Sequence, residues 1–166
     1  YLALQRTPER TNIAQSGLLG EGMPNHRTRY EALPGPRELA AGADSLQLVL
    51  EATAQNGDKV RQILTFHRRS YVIDVTYEIT NASTVPIAPY AYFQFVRDTK
   101  TPGTQSSMAP VSYAGPVIYN QADKYKKVEW SELDKEAADP ARKPPYTKNA
   151  DNGWVGMIEH YFVAAW

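Results

Sequence analysis

The sequence contains no cysteine, carries no net charge and has no apolar run long enough to cross a membrane as a helix. The absence of cysteine excludes disulfides, a thiolate nucleophile and cysteine-ligated metal sites, but leaves every cellular compartment open. The 18 basic and 18 acidic side chains cancel, so no global field attracts nucleic acid or an anionic membrane. The most apolar run, Gly153–Trp166, is too short, because a spanning helix needs roughly 20 residues.

Motifs for catalysis and metal binding are also missing. The histidines His26, His67 and His160 are widely spaced and form neither HExxH nor HxH, and no serine lies in a GxSxG context. Asp74 and Glu78 share one face of a predicted strand at about 13 Å, which is too far apart for a retaining glycosidase pair. The sequence therefore predicts no enzyme, no metal site and no cofactor.

Length and composition favour one folded domain. A chain of 166 residues fits a single core, and 42% hydrophobic with 22% charged residues argues against disorder of the whole chain. The N-terminal YLAL lacks the basic head and long apolar stretch of an export signal. Both YLAL and the C-terminal FVAAW resemble structural elements cut from a longer protein. We therefore expect one domain over residues 1–166, taken from a larger chain.

The centre of the chain predicts an antiparallel meander. Leu46–Ala54 alternates with period two, Asn56 and Gly57 favour a tight turn, and Val60–His67 provides the return strand. Tyr71–Thr80 then alternates apolar and polar side chains almost perfectly. These patterns predict an all-β, mainly antiparallel fold.

A fourth strand is predicted at Ile87–Val96, where Pro89 requires an edge, a bulge or a strand start. This strand has aromatic side chains on both faces: Tyr90 and Tyr92 lie on one face, and Phe93 and Phe95 on the other. Such a strand is either buried between two sheets or presents one face to a partner or ligand.

The other segments give weaker patterns. The first 45 residues, rich in Gly and Pro, predict a long excursion between strands. Further along, the predictions are a loop at Lys100–Ala109, a short strand at Val111–Tyr119, a helical turn or polar connection at Asp123–Trp130, a mobile surface loop at Glu132–Asn152, and a C-terminal strand followed by a helix.

Four stretches of sequence together resemble one known family. They are AQSGLLG at Ala14–Gly20, SYVIDVTYEITNAS at Ser70–Ser83, YAGPVIYNQADKYKKVEW at Tyr113–Trp130, and NGWVGMIEHYFVAAW at Asn152–Trp166. In this order they resemble the large periplasmic domain of the bacterial membrane protein insertase YidC. The last stretch is the most specific, since it looks like the end of that domain, where the chain returns to the membrane.

The resemblance implies a fold, a location and partners. The fold would be a twisted antiparallel β-sandwich of the supersandwich type, with a small helical element near the C-terminus. Members of the family carry a transmembrane helix and opening strands before the position of Tyr1, and five more transmembrane helices after the position of Trp166. The chain would thus be a truncated, non-enzymatic interaction domain at the periplasmic face of the inner membrane. Its expected partners are the accessory subunits of the Sec translocon and client membrane proteins.

The resemblance also suggests two sets of candidate residues. In the family, an edge region of the sandwich is associated with partner contact. By order along the chain, its nearest equivalent here is Val85–Val96. The candidate partner-binding residues are therefore Tyr90, Tyr92, Phe93 and Phe95. The candidate membrane-proximal connection consists of Trp154, Tyr161, Phe162 and Trp166. Two alternatives remain open: a carbohydrate-binding or mutarotase-like sandwich, and a chaperone module that holds peptide by edge-strand addition.

Overall fold

The computed structural model describes residues 4–8, 10–98, 113–159 and 162–166. In this part of the chain, 11 strands form three sheets and one short helix follows the ninth strand. The strand pairs with a given register are antiparallel. The predicted class, mainly antiparallel all-β with a small helical element, is therefore confirmed.

The strands and the helix have the following bounds: β1 Gln5–Arg6, β2 Thr11–Leu19, β3 Glu31–Ala32, β4 Ser45–Thr53, β5 Lys59–His67, β6 Ile73–Thr80, β7 Tyr90–Arg97, β8 Ala114–Asn120, β9 Lys124–Lys127, α1 Trp130–Ala138, β10 Gly153–Glu159 and β11 Phe162–Ala165. The sheets have the orders β3-β4-β5-β6, β11-β10-β8-β9 and β1-β2-β7. The chain divides into two compact units, one of Ser16–Phe93 and one of Tyr1–Gln15 with Gln94–Trp166.

The unit Ser16–Phe93 is built on the predicted meander. The loop between β4 and β5 contains Gly57, whose φ of 90° is the left-handed conformation expected of an Asn-Gly turn. The register places Ala52, Val60 and Ile79 directly opposite one another on one face of the sheet. The side chains on this face are apolar, so their burial away from water is favourable. The buried core of this unit consists of Leu18, Met23, Ala54 and Val60, with Tyr77, Ile79 and Ile87 packed against it.

The other unit contains the sheet β11-β10-β8-β9 and the helix. Val117 at the centre of β8 is fully buried, and Met157 of β10 is also buried. The helix α1 has no buried residue, but the indole of Trp130 donates a hydrogen bond to the Ala114 carbonyl at 3.4 Å. This contact connects the start of the helix to the start of β8.

The three central strands and their turns lie where the alternation placed them. The fourth strand starts at Tyr90, directly after Pro89, so Pro89 precedes the strand and removes no donor from its ladder. The predicted short strand is confirmed as β8, although Val111 and Ser112 lie outside the described residues. The loop predicted at Lys100–Ala109 also lies outside them.

Four predictions for the weaker segments are wrong in part. The first 45 residues contain the nine-residue strand β2, and Asp123–Trp130 contains the strand β9. The helix α1 occupies part of the predicted loop Glu132–Asn152, because its residues WSELDKEAA contain no proline or glycine. The C-terminal run forms a second strand instead of a helix, since β11 pairs with β10 from Gly156 to Glu159.

Candidate interaction surfaces

Large apolar side chains are exposed near the start of β7. The exposed fraction is 74% for Tyr90 and 66% for Val85, which lies in the connection from β6. The side chain of Asn81 donates a hydrogen bond to the Val85 carbonyl at 2.7 Å, so the connection is held in a defined turn. Phe93, on the opposite face of β7 from Tyr90, is 40% exposed. We call Val85 and Tyr90 the β7 entry surface.

Tyr92, by contrast, makes internal contacts. Its hydroxyl accepts a hydrogen bond from the backbone N–H of His26 at 3.0 Å and lies 2.5 Å from His26 Nδ1. Its ring lies so close to Gly17 that a Cβ added there would be 2.8 Å from Tyr92 Cε1. Tyr92 therefore fixes the segment after β2, and replacing it would disturb packing as well as any surface.

Phe95 and Trp166 contact each other within one unit. Their ring centroids are 6.2 Å apart, and the Trp166 indole donates a hydrogen bond to the Gln94 carbonyl at 3.3 Å. The last residue is also paired with β10 through two backbone hydrogen bonds to Val155, at 2.8 and 3.0 Å. Both side chains thus help to attach the end of the chain to its unit.

The remaining residues predicted to lie near the membrane are in the C-terminal sheet. Trp154 stacks on Tyr119, with centroids 6.0 Å apart and an interplanar angle of 11°. Phe162 begins β11 and is 42% exposed. Tyr161 lies outside the described residues. The sequence pattern does not single out Tyr119 or its neighbour Tyr125, and only the strand register reveals that these residues are adjacent to Trp154.

The titratable side chains form pairs and small networks. His67 Nε2 lies 2.6 Å from Asp74 Oδ2 on the polar face of the sheet, a pairing that the sequence pattern alone does not predict. Both side chains are substantially exposed, so they lie on an open surface. Burial raises the pKa of Tyr30 to about 12, which keeps this hydroxyl protonated. No group of three His, Cys, Asp or Glu in the described residues could hold a metal ion.

A groove of about 420 Å³ runs between the C-terminal sheet and α1. Its lining is mainly apolar and includes Phe95, Pro116, Val128, Leu133 and Met157. Its volume is within the range of small-molecule sites. The groove could accommodate apolar side chains or an acyl group, and its lining offers few polar groups to orient a polar substrate.

Together these features define an all-β domain with large aromatic and apolar side chains exposed at several places on its surface. The model of the YidC periplasmic domain family matches residues 2–166, and the chain belongs to this family. A membrane protein insertase YidC from Nitrosospira multiformis is 47% identical over 166 residues, covering 100% of this chain and 28% of that protein. YidC from Dechloromonas aromatica is 46% identical over 154 residues, covering 93% and 27%. YidC from Nitrosomonas europaea is 44% identical over 168 residues, covering 100% and 26%.

Family membership confirms the resemblance and the location at the periplasmic face of the inner membrane. The chain spans between 26% and 28% of the length of these three relatives. Their name is that of an insertase and not of an enzyme class. In the described residues, no helix combines the length and the apolar character needed to cross a membrane.

Proposed function

We propose that the chain is a non-catalytic interaction domain of a YidC-type insertase. It supports membrane protein insertion and folding by contacting accessory subunits of the Sec translocon and client proteins. The observation that carries this proposal is the β7 entry surface, because Tyr90 and Val85 expose large apolar side chains in the region that the family resemblance associates with partner contact. Exposed tyrosine is well suited to this role, since it combines an apolar ring with a polar hydroxyl.

The proposal predicts that Tyr90→Ala with Val85→Ser weakens capture of the Sec accessory subunits by about tenfold or more. Exposed aromatic anchors often contribute 1–2 kcal/mol or more to binding, which justifies this estimate. The measurement is a pull-down of the purified subunits, followed by titration of the complex. Circular dichroism and thermal unfolding should match the wild type, because both side chains project into solvent.

Tyr71→Ala with Val72→Ser is the matched control. These side chains are 105% and 63% exposed, and they precede β6, away from the β7 entry surface in sequence. The control should retain partner capture. Equal capture by the folded Tyr90 and Val85 variant and the wild type would reject the β7 entry surface as the contact.

A second candidate function is to hold an extended peptide, and the position of β6 at the edge of its sheet favours it. In the sheet β3-β4-β5-β6, β6 pairs with β5 on one side, and no strand in the described part of the chain pairs with its other side. A strand edge has backbone groups that can pair with an added strand. β6 contains neither proline nor lysine, the residues that often protect such edges, and it carries Asp74 and Glu78 on its polar face.

We predict that a synthetic peptide of alternating valine and lysine slows amide exchange in β6. Its lysines would meet the carboxylates of Asp74 and Glu78, and its backbone would pair with the open edge. Hydrogen–deuterium exchange with mass spectrometry measures the effect. A peptide with proline at every second position cannot form the ladder and should give no protection. Unchanged exchange with the first peptide would exclude β6 as a peptide-holding edge.

A further inference from the structure

A pocket of about 470 Å³ lies in the unit that contains the meander. Three segments form its walls: residues 20–23 of the loop after β2, residues 55–56 of the turn between β4 and β5, and residues 87–89 of the connection that leads into β7. The third segment lies between Val85 and Tyr90 in the sequence, so the pocket adjoins the β7 entry surface. We call it the turn pocket.

Close backbone contacts hold the walls of the turn pocket together. Gly22 has a φ of 70°, and its carbonyl accepts a hydrogen bond from the Gln55 N–H at 3.2 Å. A Cβ added at Gly20 would be 3.5 Å from the Pro89 Cβ, so the loop after β2 also lies against the third segment. The three walls are therefore ordered without a ligand.

Part of the lining is apolar and belongs to the core of this unit. Met23 is 8% exposed, and Ile87 packs against the buried cluster that contains Met23. Pro89 is half-buried beside them. The methylene groups of a long side chain can be buried favourably on such a surface.

Two polar side chains of the lining are available to a ligand. In the part of the chain that the structure describes, neither the Glu21 carboxylate nor the Gln55 amide has a hydrogen bond or an ion pair. Asn56, by contrast, is engaged, because its amide donates a hydrogen bond to Asp58 Oδ2 at 2.8 Å. The pocket thus offers a carboxylate and an amide oxygen as acceptors.

The charge around the turn pocket is negative. Residues 19–25, 54–58 and 81–89, which contain the three walls, include two charged side chains, and both are acidic: Glu21 and Asp58. Asp58 is fully buried behind the turn, and Glu21 is exposed. A cation in this pocket would therefore meet carboxylates that attract it.

The nearest basic residues along the chain do not neutralise this charge. The Lys59 Nζ forms an ion pair with Glu51 at 3.0 Å on the polar face of the sheet. After residues 20–23 the chain runs back along β2, since the Leu18 N–H donates a hydrogen bond to the Pro24 carbonyl at 3.0 Å. This return carries His26 to its contact with Tyr92, away from the pocket.

We infer that the turn pocket binds a basic side chain, of arginine or lysine, presented by the polypeptide that docks on the β7 entry surface. The aliphatic stem would lie on Met23 and Ile87, and the cationic end would reach the Glu21 carboxylate and the Gln55 amide oxygen. The exposed apolar side chains would supply affinity, and the acidic pocket would select the partner. This inference rests on the proposed function and names the residue type that the partner must carry.

An NMR titration of the full chain with N-acetyl-arginine amide tests the inference without any Sec subunit. The ligand should shift the backbone amide signals of Gly20, Gly22 and Gln55, with a Kd of about 1 mM for so small a molecule. N-acetyl-citrulline amide is the matched ligand control, since it keeps the stem and removes the charge. It should bind about fivefold more weakly.

Two variants locate the binding site. Glu21→Gln should weaken binding of the arginine ligand about fivefold and reduce its dependence on salt. Glu38→Gln is the matched control, because Glu38 is an exposed glutamate in the connection that enters the start of β4, whereas Gln55 follows the end of this strand. The inference is overturned if citrulline binds as well as arginine, if Glu21→Gln binds arginine normally, or if the shifted amides lie outside the pocket.

Partner capture separates this inference from the proposed function. Glu21→Gln should weaken capture of the Sec accessory subunits about fivefold, with an unchanged thermal unfolding curve. Normal capture by Glu21→Gln, together with loss of capture by the Tyr90 and Val85 variant, would reject the pocket and retain the β7 entry surface. Arginine binding in the pocket of a wild-type chain that captures no Sec subunit would reject the proposed function and retain the pocket as a site for basic side chains.

Discussion

Replacing Glu159 by alanine is expected to lower the free energy of unfolding by about 3–5 kcal/mol. Glu159 is 3% exposed at the end of β10, and its carboxylate forms ion pairs with Arg10 and, at 3.6 Å, with Arg97. The side chain of Asn12 donates a further hydrogen bond to it at 3.4 Å. Alanine removes the negative charge from this buried cluster and leaves two guanidinium groups without it, which is why a large loss is expected.

Two companion variants separate charge from packing. Glu159→Gln keeps the shape of the side chain and should lose less stability than Glu159→Ala. Arg97→Met combined with Glu159→Leu replaces an ion pair by apolar side chains and should recover part of the loss, because this exchange is often neutral or stabilising. Urea unfolding of the purified chain measures all three. A Glu159→Ala variant within about 0.5 kcal/mol of the wild type would contradict this account of the cluster.

The strands that the sequence predicted well are those whose pattern is purely local. In β6, Ile73, Val75, Tyr77 and Ile79 alternate with polar residues, which is the period of two of a strand. Tyr77 and Ile79 pack against the core, whereas Ile73 at the start of the strand is 47% exposed. In β2, by contrast, Gln15, Ser16 and Gly17 interrupt the apolar pattern. Those residues are explained by contacts elsewhere in the chain. The Ser16 hydroxyl accepts a hydrogen bond from the Gln62 side chain at 2.9 Å, and Gly17 leaves room for the Tyr92 ring.

The candidate surfaces were less predictable, because exposure depends on distant neighbours. Tyr90 and Tyr92 look equivalent in the sequence, yet Tyr92 meets His26, 66 positions earlier, while Tyr90 is exposed. The contact of Tyr119 with Trp154 was missed for the same reason, since these residues become adjacent only through the pairing of β8 with β10. A periodic pattern indicates which side chains share a face of a strand, but the register between strands decides which residues meet.

Replacing Asp58 by alanine should lower the free energy of unfolding by about 3 kcal/mol, the second large effect expected. Asp58 is fully buried after the β4–β5 turn. Its Oδ1 accepts a hydrogen bond from the Ala82 N–H at 2.7 Å, and its Oδ2 accepts one from the Asn56 amide at 2.8 Å. The carboxylate therefore joins this turn to the segment that follows β6, and alanine removes both charge-assisted hydrogen bonds at once.

Asp58→Asn tests whether charge or acceptor geometry dominates. Asparagine keeps one oxygen for the Ala82 N–H, so we expect about half the loss, whereas Asp151→Ala at an exposed position should change stability by no more than about 0.5 kcal/mol. Urea unfolding gives the free energies, and amide exchange at Ala82 reports the local connection. Slow exchange at Ala82 in a fully stable Asp58→Ala variant would mean that the segment after β6 is held in place without this carboxylate. A large loss of stability with faster exchange at Ala82 would instead show that the Asn56–Gly57 turn stabilises this unit mainly through the buried side chain of Asp58.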